Sequence, residues 1–510
     1  MSQLFFAQGL VSTHLYNIIL ISTVFCITYK IVATIHSVYF GPLSKFPGPK
    51  LRAFSNIFEI HSLITGNDNI DRPALHKKYG PVVRVGPKLL SFAGGDGVWK
   101  DIHGFNATKE GGIVKEPLFY SKIFGFTDVS NLITAREHAN HARQRKVLAR
   151  SFSNTALMEQ QPIFSRWAEK FKIKLADAAS VVDQIDIVKY YNCTTFDIMG
   201  DLTFNEDLNM LEEGECSPWV ESIFGSVKAA TFLLGVKTHS RAARWIADTF
   251  LKYNPAVQKK QLENWKYCSE RVDRRLQRTP KHPDLWSRIL EKRDDSESLT
   301  MEEQYANAFL FMTAGTETIA SALSATTFYL LRNPEYLEKL TKEIRSTFST
   351  SGNMSLEALA SLKYLQAVIQ EGLRLHPPLP IALPRTIPKG GAQICGEWIP
   401  EGTIVGVHYL SIHTQEQYFK KPLEFHPQRW LRDPEFENDC LDMAKPFLMG
   451  PMNCIGKDLA MHEIRLLLST VLLNFDIKLS DESADWKDMK VFTLWQKRPL
   501  LCKLTRVASE

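Results

Sequence analysis

The amino-acid sequence predicts a mainly α-helical protein with a minor β component, in which one large domain follows a single N-terminal transmembrane helix. Three observations lead to this prediction. Apolar residues recur with helical spacing from about 155 to 375, and two short segments, 81–92 and 393–407, have the pattern of β-hairpins. The first forty residues contain a long apolar run. The hydrophobic content of 44% is ordinary for a globular protein with an ample core.

Charge and cysteine content narrow the possible functions. Lys and Arg outnumber Asp and Glu by 61 to 56, and this mild basic bias predicts no nucleic-acid partner. The eight cysteines show no paired framework, which is typical of reduced thiols in a cytosol-facing protein rather than a secreted disulfide scaffold. They lie at positions 26, 193, 216, 268, 395, 440, 454 and 502.

Residues 15–35 form the predicted membrane anchor. They are mostly apolar, with Lys30 as the one charged side chain, and a helix rising about 1.5 Å per residue over this length crosses the hydrocarbon core of a bilayer. No charged side chain precedes Lys30, whereas Lys45, Lys50 and Arg52 follow it. This asymmetry predicts that the C-terminal side faces the cytosol. A cleaved signal peptide is the alternative, but the basic n-region of such peptides is lacking.

The chain therefore divides into four predicted segments. A short lumenal N-terminus (1–14) precedes the anchor (15–35), and a proline-rich hinge (36–52) leads to one large domain (53–510). The hinge contains Phe46-Pro47-Gly48-Pro49, where the prolines fix φ and prevent helix continuation. An anchor of this type predicts a single-pass protein of the endoplasmic reticulum.

The most informative motif is Phe447-Leu-Met-Gly450-Pro-Met-Asn-Cys454-Ile-Gly456, which precedes an amphipathic run, 457 to about 473, that predicts a helix. A helix N-terminus offers unpaired N–H groups and the positive end of a dipole, so Cys454 is placed to be a thiolate. Gly450 and Gly456 would let the backbone pass close to a large flat group. Taken alone, such a cysteine is more often a buried free thiol beside a helix cap.

A second motif, Ala-Gly-Thr-Glu-Thr at 314–318, lies inside a long predicted helix. The helix begins at a Thr-x-x-Glu capping box, 300–303, and runs to about 332. Its glycine weakens the helix by about 1 kcal/mol relative to alanine. Thr318 can donate a hydrogen bond to the carbonyl of Ala314 and open a groove. A packing glycine explains this pentapeptide about as well as a functional groove does.

A third motif, Glu371-Gly-Leu-Arg374, places a carboxylate and a guanidinium on one face of a predicted helix. An exposed pair with this spacing contributes only about 0.2–0.5 kcal/mol. The neighbours Val368, Ile369 and Leu373 are apolar, however, and predict a buried pair. Breaking a buried pair costs about 3–5 kcal/mol.

Taken together, these motifs resemble those of the cytochrome P450 superfamily, the haem-thiolate monooxygenases. The chain is similar to that family over nearly all of residues 40–505, so the large domain is implied to be the catalytic domain. The implied cofactor is haem b, with Cys454 as the thiolate ligand of its iron. Phe447 is implied to pack beneath the ring near the sulfur, in the same loop as Gly450 and Gly456.

The resemblance assigns the pentapeptide to dioxygen activation. Glu317 and Thr318 take the places of the acid and the alcohol that relay protons in the family, and Ala314 and Gly315 are implied to leave room for oxygen. The alternative function is that of a haem-thiolate isomerase or dehydratase that does not activate dioxygen. Such members tend to lose the acid or the alcohol, so the intact pair favours a monooxygenase.

The resemblance also implies a structural trio. Glu371 and Arg374 match the Glu-x-x-Arg signature of the family, and Arg429, in Phe-His-Pro-Gln-Arg-Trp, is implied to be its third member. We interpret these three residues as a lock for the core under the haem that takes no part in the chemistry.

Residues implied to bind the haem carboxylates are His141, Arg145 and Arg385. His141 stands where the family has an aromatic residue, often Trp. Met452 stands where the family usually has Arg or His, and a thioether cannot neutralise a carboxylate. More of this load would then fall on Arg145 and Arg385. Met452 is also the one support for a third hypothesis, a non-catalytic haem-binding pathway protein.

The implied partners are O2, an apolar small-molecule substrate and NADPH–cytochrome P450 reductase. Arg143, Lys146 and Arg150 are predicted to share the outer face of one basic helix, and such a cationic patch suits an acidic flavoprotein. Residues 366–378 and 388–396 resemble fungal members of the family that tailor polyketides, terpenoids or similar natural products.

Overall fold

A computed structural model describes residues 2–121, 129–215, 217–290 and 298–507. Over these ranges the protein is mostly helical and carries small β-sheets, so the predicted mainly α fold with minor β structure is confirmed. The α-helices of the described residues are α1 (Ser2–Tyr39), α2 (Lys50–Phe54), α3 (Ile57–Thr65), α4 (Asp68–Tyr79), α5 (Val98–His103), α6 (His138–Leu148), α7 (Asn154–Val181), α8 (Ile187–Phe204), α9 (Met210–Glu213), α10 (Pro218–His239), α11 (Arg241–Tyr253), α12 (Pro255–Gln277), α13 (Leu285–Leu290), α14 (Met301–Ala314), α15 (Glu317–Arg332), α16 (Pro334–Thr347), α17 (Leu356–Ser361), α18 (Lys363–Leu375), α19 (Tyr409–His413) and α20 (Lys457–Asn474).

The β-strands are short, and apart from β4 they fall in three regions of the chain, 82–115, 385–407 and 475–506. They are β1 (Val82–Gly86), β2 (Leu89–Phe92), β3 (Val114–Lys115), β4 (Ile185–Asp186), β5 (Arg385–Thr386), β6 (Ala392–Ile394), β7 (Glu397–Ile399), β8 (Ile404–Val407), β9 (Phe475–Leu479), β10 (Val491–Phe492), β11 (Leu494–Trp495) and β12 (Leu501–Arg506).

The largest sheet has the strand order β1-β2-β8-β5-β3. Its β1–β2 pair is the hairpin predicted at 81–92. The second predicted hairpin, 393–407, is confirmed only around Gly396, which has φ of 77° and lies in the turn between the antiparallel strands β6 and β7; the rest is wrong, because β8 joins β2 in parallel and β5 antiparallel. Partner choice for β8 depends on strands far away in the sequence, which a local alternation pattern does not encode.

The N-terminal helix α1 contains the predicted anchor. Its segment Tyr16–Tyr39 buries almost no side chains against the rest of the protein and is long and apolar enough to span a membrane. The helix continues beyond the predicted end at Ile35, because residues up to Tyr39 include no helix breaker. A second apolar helix, α10, reaches similar length but packs against α3, where Gly235 lies on Ile60 and Ile64.

The centre of the helical core is α15, whose first fourteen residues are nearly all buried. It packs against α8, α18 and α20. The predicted Thr300–Glu303 capping box is present at the start of α14, but the single long helix predicted to run to residue 332 is interrupted. At Gly315 and Thr316 the backbone leaves the regular helix, and α15 starts at Glu317. The hydroxyls of Thr316 and Thr318 bond the carbonyls of Met312 and Ala314 at 2.7 Å, competing with the helical N–H groups there.

Candidate active site

Cys454 lies in a turn just before α20. Its N–H donates to the carbonyl of Phe447 at 2.9 Å, which closes the loop, and the N–H of Gly456 bonds its sulfur. Burial raises the pKa of the Cys454 thiol, while Gly456 and Arg145 act to lower it. Cys454 is nevertheless an exposed free cysteine. Its sulfur is therefore accessible as a ligand donor.

The two glycines of the cysteine loop differ in what they require. Gly450 has φ of 74°, and a Cβ atom there would lie 2.0 Å from the carbonyl oxygen of His103. Only glycine fits that position, because the loop backbone is pressed against the end of α5. Gly456 has φ of −90°, and the nearest atom to a Cβ there would be in the Phe152 ring at 3.8 Å. Phe447 is half-buried against the hydrophobic core.

The interruption between α14 and α15 creates an accessible strip within otherwise buried helices. Ala314, Gly315 and Thr318 are half-exposed, whereas Thr316 and Glu317 beside them are buried. Thr318 donates to the Ala314 carbonyl at 2.7 Å, as predicted from the sequence. The lone pairs of its hydroxyl oxygen remain available on the accessible side.

Gly315 has a packing role in this structure. A Cβ atom at Gly315 would lie 2.9 Å from the sulfur of Met199 on α8 and 2.8 Å from the Phe311 carbonyl oxygen. The missing side chain therefore admits α8, and the packing explanation that the sequence left open accounts for this glycine.

Glu317 forms a buried ion pair that the sequence analysis did not anticipate. Its Oε2 atom accepts a hydrogen bond from Nζ of Lys497 at 2.8 Å, and Lys497 also donates to Oδ1 of Asn192 at 2.7 Å. Burial raises the pKa of Glu317, and Lys497 opposes that rise. The partners lie 180 residues apart, so no local pattern could have revealed them.

A cationic cluster, formed by Arg145 and Arg385 with the neutral ring of His141 beside them, lies next to the cysteine loop. Arg385 is buried, donates from Nη1 to the sulfur of Met452 at 2.7 Å, and has no partner for Nε among the described residues. Arg145 donates to the carbonyl oxygen of Asn453 at 2.6 Å and to its side-chain oxygen. His141 is buried, and burial together with nearby cations, Arg145 and Arg385 among them, lowers its pKa to about 3.

Two further buried basic side chains near this cluster, Lys115 and His103, were not predicted from the sequence. Lys115 is buried on β3, and burial with the nearby guanidinium groups lowers its pKa well below its usual value. Its Nζ donates to the carbonyls of residues 132, 133 and 135. His103, at the end of α5, is buried, and neither ring nitrogen has a hydrogen-bond partner among the described residues. A lysine among apolar neighbours at 113–119 was the one available signal for the first of these.

The cationic cluster fits an anionic ligand. Within the described residues no carboxylate hydrogen-bonds to Arg145 or Arg385, and burial lowers the pKa of both. Buried cations without a counter-charge are unfavourable unless a ligand supplies one. A cavity of about 820 Å³ adjoins the cluster, lined by residues of 108–121 and 129–140 and by Met452. The cluster therefore suits a ligand that carries carboxylates.

The structure brings Glu371, Arg374 and Arg429 together in the protein interior, all fully buried. Arg374 donates to both carboxylate oxygens of Glu371, at 2.7 and 2.9 Å, and Arg429 donates at 2.9 Å. The Trp430 indole adds a bond at 2.9 Å. Arg374 also reaches the carbonyl of His413, whose ring nitrogen accepts the N–H of Lys445 at the start of the cysteine loop.

The predicted cationic patch on the outer face of α6 is partly wrong. Arg143 donates to the carbonyl of Ser298 at 2.9 Å and forms an ion pair with Glu303 on α14, so it holds two helices together. Lys146 is exposed and Arg150 is half-buried. Residues 291–297, just before Ser298, are not described, and the pairing of Arg143 is not visible in helical periodicity.

The fold and the cysteine site combine a helix-rich domain, an accessible thiol before a mostly buried helix, and two guanidinium groups beside that thiol. In the comparison with known families, residues 47–503 match the family model described as Cytochrome P450. The chain belongs to the cytochrome P450 family, as its sequence motifs predicted. The family implies a haem-thiolate iron cofactor.

Similar proteins cover nearly the whole chain. Cytochrome P450 monooxygenase efuB of Hormonema carpetanum is 44% identical over 487 residues, which are 94% of this chain and 95% of the relative. Cytochrome P450 monooxygenase FUM2 of Gibberella moniliformis is 36% identical, with 92% and 99% covered. Trichothecene C-15 hydroxylase of Fusarium sporotrichioides is 35% identical, with 93% and 95% covered. The predicted enzyme class, an oxidoreductase of the monooxygenase type from a fungal group of relatives, is confirmed.

Proposed function

We propose that this protein hydroxylates or epoxidises an apolar natural-product intermediate, a polyketide, a terpenoid or a similar compound. It would use O2 and electrons from NADPH that NADPH–cytochrome P450 reductase delivers. The observation that carries the proposal is the exposed thiol of Cys454 beside Arg145 and Arg385, which bond no carboxylate among the described residues. The name of one relative, a C-15 hydroxylase, supports hydroxylation as the reaction.

Cys454 would bind the haem iron, and the haem when bound supplies the redox chemistry that activates dioxygen. Arg145, Arg385 and His141 would hold its carboxylates, since they lie near one another beside the loop. Phe447 would support the sulfur side of the ring. Gly450 and Gly456 would shape the loop, the first by its contact with α5. The structural trio of Glu371, Arg374 and Arg429 would hold that loop in place. Arg374 bonds the carbonyl of His413, and the ring of His413 accepts the N–H of Lys445 just before the loop.

Thr318 and Glu317 would manage the protons that the reaction consumes. The Thr318 hydroxyl donates its own proton to the Ala314 carbonyl, so the lone pairs of its oxygen are free to accept a hydrogen bond from a proton donor on the accessible side. Glu317 is the neighbouring acid and is buried, which favours uptake of a proton. Ala314 and Gly315 line the same accessible strip.

The membrane arrangement is also part of the proposal. Residues 15–35 would cross the membrane of the endoplasmic reticulum, with residues 1–14 in the lumen. The hinge at 36–52 and the catalytic domain at 53–510 would face the cytosol, where the reductase and NADPH are accessible. The exposed apolar segment Tyr16–Tyr39 supports this arrangement.

Thr318→Ala tests the proton-handling role. We expect the variant to keep its thiolate-haem spectrum but to divert most NADPH-derived electrons to hydrogen peroxide, with product per NADPH falling about tenfold or more. The measurement is product, peroxide and NADPH consumption in one reaction with reductase.

The matched control for that experiment is Thr316→Ala. Thr316 makes the same kind of hydroxyl bond to a carbonyl four residues earlier, but it is fully buried. Its loss should leave product per NADPH close to that of the wild type. An unchanged yield in Thr318→Ala would contradict the proton-handling role.

Met452→Arg tests how the cationic cluster holds its ligand. A guanidinium at this position would lie beside Arg385, where it can bind a carboxylate of the haem. One charge-assisted hydrogen bond is worth about 1.5–3 kcal/mol, so we expect haem loss to slow by about tenfold or more. The measurement is the rate of haem transfer to an excess of a haem-free acceptor protein.

Met452→Leu is the control, because it keeps the side-chain volume and removes the sulfur that Arg385 bonds. Its haem loss should match that of the wild type or be slightly faster. Equal rates in the wild type and in Met452→Arg would show that Arg145 and Arg385 already satisfy the ligand.

A further inference from the structure

Lys497 belongs to the segment that links β11 to β12 near the C-terminus, far in sequence from the motifs described above. Its ammonium group lies 2.8 Å from Oε2 of Glu317, and the two side chains are 7% and 6% exposed. Because both charges are almost completely withdrawn from water, each depends on the other for compensation.

A third element fixes the lysine. Asn192 on α8 accepts a hydrogen bond from Nζ of Lys497 at 2.7 Å. Two of the three ammonium protons are therefore used, on acceptors that come from α8 and α15. The position of the ammonium group is set by the packing of three separate parts of the chain.

The ion pair turns the Glu317 carboxylate away from the accessible strip. Glu317 and Thr318 are consecutive residues at the start of α15, so their side chains point in directions about 100° apart. Thr318 is half-exposed on the strip, whereas Glu317 is buried and points to the C-terminal segment. The carboxylate must leave Lys497 before it can deliver a proton towards Thr318.

We propose that Lys497 is a positioning residue for Glu317: it holds the carboxylate ionised and turned towards the C-terminal segment, and proton delivery requires this ion pair to open. The proton-delivery part of this inference rests on the proposed function, whereas the effect of Lys497 on the protonation of Glu317 does not. In the step itself, the Glu317 carboxylate takes up one solvated proton (a hydronium ion becomes water), separates from Lys497, releases that proton on the side of Thr318, and returns as a carboxylate. Lys497 stays protonated throughout, so the net change is the transfer of one proton from solvent to the accessible strip.

The surroundings of the pair contain few other ionisable groups. Burial raises the pKa of Glu317, and Lys497 is the charged neighbour that counters this effect. On the other side of Lys497 lies His376, whose pKa is lowered to about 3 by burial and by Lys497 itself, so it is neutral at physiological pH. Its ring stacks on Trp495 at 4.1 Å. Removing Lys497 therefore leaves Glu317 buried with no compensating charge among these neighbours, and its pKa rises further.

The direct test is the protonation state of Glu317, which does not require a working reaction. Infrared pH-difference spectra of the full-length protein would follow the carbonyl stretch of a protonated carboxylic acid, assigned by its loss in Glu317→Gln. We expect the titration midpoint in Lys497→Met to lie at least about one pH unit above that of the wild type. Lys497→Arg, which keeps the positive charge, should titrate close to the wild type. Equal midpoints in the wild type and in Lys497→Met would overturn the inference.

Two further variants test the inference in case Lys497→Met does not fold. Lys497→Gln keeps a hydrogen-bond donor for Glu317 and Asn192 without the charge, and the double variant Lys497→Met with Glu317→Gln removes both charges together. The double variant should fold as well as the wild type and show no titrating band. If Lys497→Gln titrates like the wild type, the lysine charge has no part in holding Glu317.

The catalytic part of the inference has its own readout. In the wild type, product per NADPH should depend on pH with a midpoint that follows the Glu317 titration, and in Lys497→Met that midpoint should move to higher pH by the infrared shift. A shifted infrared midpoint with an unshifted coupling profile would contradict proton delivery by Glu317 but leave the ion-pair assignment standing. A wild type that forms no product at all would contradict the proposed function, while the infrared result still decides the role of Lys497.

Discussion

Cys454→Ala should abolish the strongly red-shifted Soret band that we expect of the reduced, carbon-monoxide-treated wild type in microsomes, and with it all product formation. The physical reason is that Cys454 offers an accessible sulfur in the loop before α20, and alanine has no atom that can bind iron. Because the sulfur is not packed into the core, the free energy of unfolding of the cofactor-free protein should change by less than about 0.5 kcal/mol. The measurements are the difference spectrum and thermal unfolding.

Cys440→Ala is the matched control, because Cys440 is an exposed free cysteine fourteen positions earlier in the chain. It should retain the full band. A red-shifted band in Cys454→Ala would assign the ligand to another residue. A folded wild type without any such band would bring back the hypothesis of a non-catalytic pathway protein.

Glu371→Gln should have the largest effect on stability. The substitution keeps the shape of the side chain but leaves two fully buried guanidinium groups, Arg374 and Arg429, without their shared carboxylate. Removing one partner of a buried ion pair costs about 3–5 kcal/mol, a large part of the 5–15 kcal/mol by which proteins are usually stable. We expect little soluble protein and, in what remains, a strongly lowered melting temperature. Expression yield and thermal unfolding are the measurements.

The control is Glu338→Gln on α16, an exposed glutamate, which should melt with the wild type. The difference in stability between the wild type and Glu371→Gln should also depend on pH. Burial acts to raise the pKa of Glu371, but Arg374 and Arg429 outweigh it and hold the pKa below its usual value. The carboxylate therefore stabilises the fold above its unfolded pKa, and this contribution is lost as pH falls through the folded pKa. The gap in stability between the wild type and Glu371→Gln should narrow in acid; a gap that stays constant would contradict the ion-pair explanation.

The sequence predicted those parts of the site that depend on short spacings. Glu371 and Arg374 are three residues apart on one helix, and the cysteine loop with its following helix is contiguous, so both can be recognised locally. The Thr318 bond to Ala314 is likewise local. Arg429 required the family resemblance, because its distance of 58 residues from Glu371 carries no physical pattern.

The parts that the sequence did not predict are the ones that tertiary packing creates. Lys497 meets Glu317, and Lys115 meets the carbonyls of residues 132–135, only when distant segments pack together. Its helical position predicted Arg143 to lie on the surface, but Arg143 forms an ion pair with Glu303 on α14. The sequence did not predict that α14 ends at Ala314. The helix is interrupted there because the Thr316 and Thr318 hydroxyls bond backbone carbonyls, in addition to the low helix propensity of Gly315.

The arginines beside the cysteine loop would make the abundance of this protein depend on its cofactor supply. Arg145 and Arg385 lose hydration free energy on folding, and a dianionic ligand that binds only the native state would compensate for it. By mass action, such a ligand at a hundred times its dissociation constant adds about 2.7 kcal/mol to the free energy of unfolding. A cell short of haem would therefore hold less folded enzyme, since more of the chain would be exposed to proteases and chaperones. Haem availability would act in this way as a thermodynamic regulator of the pathway.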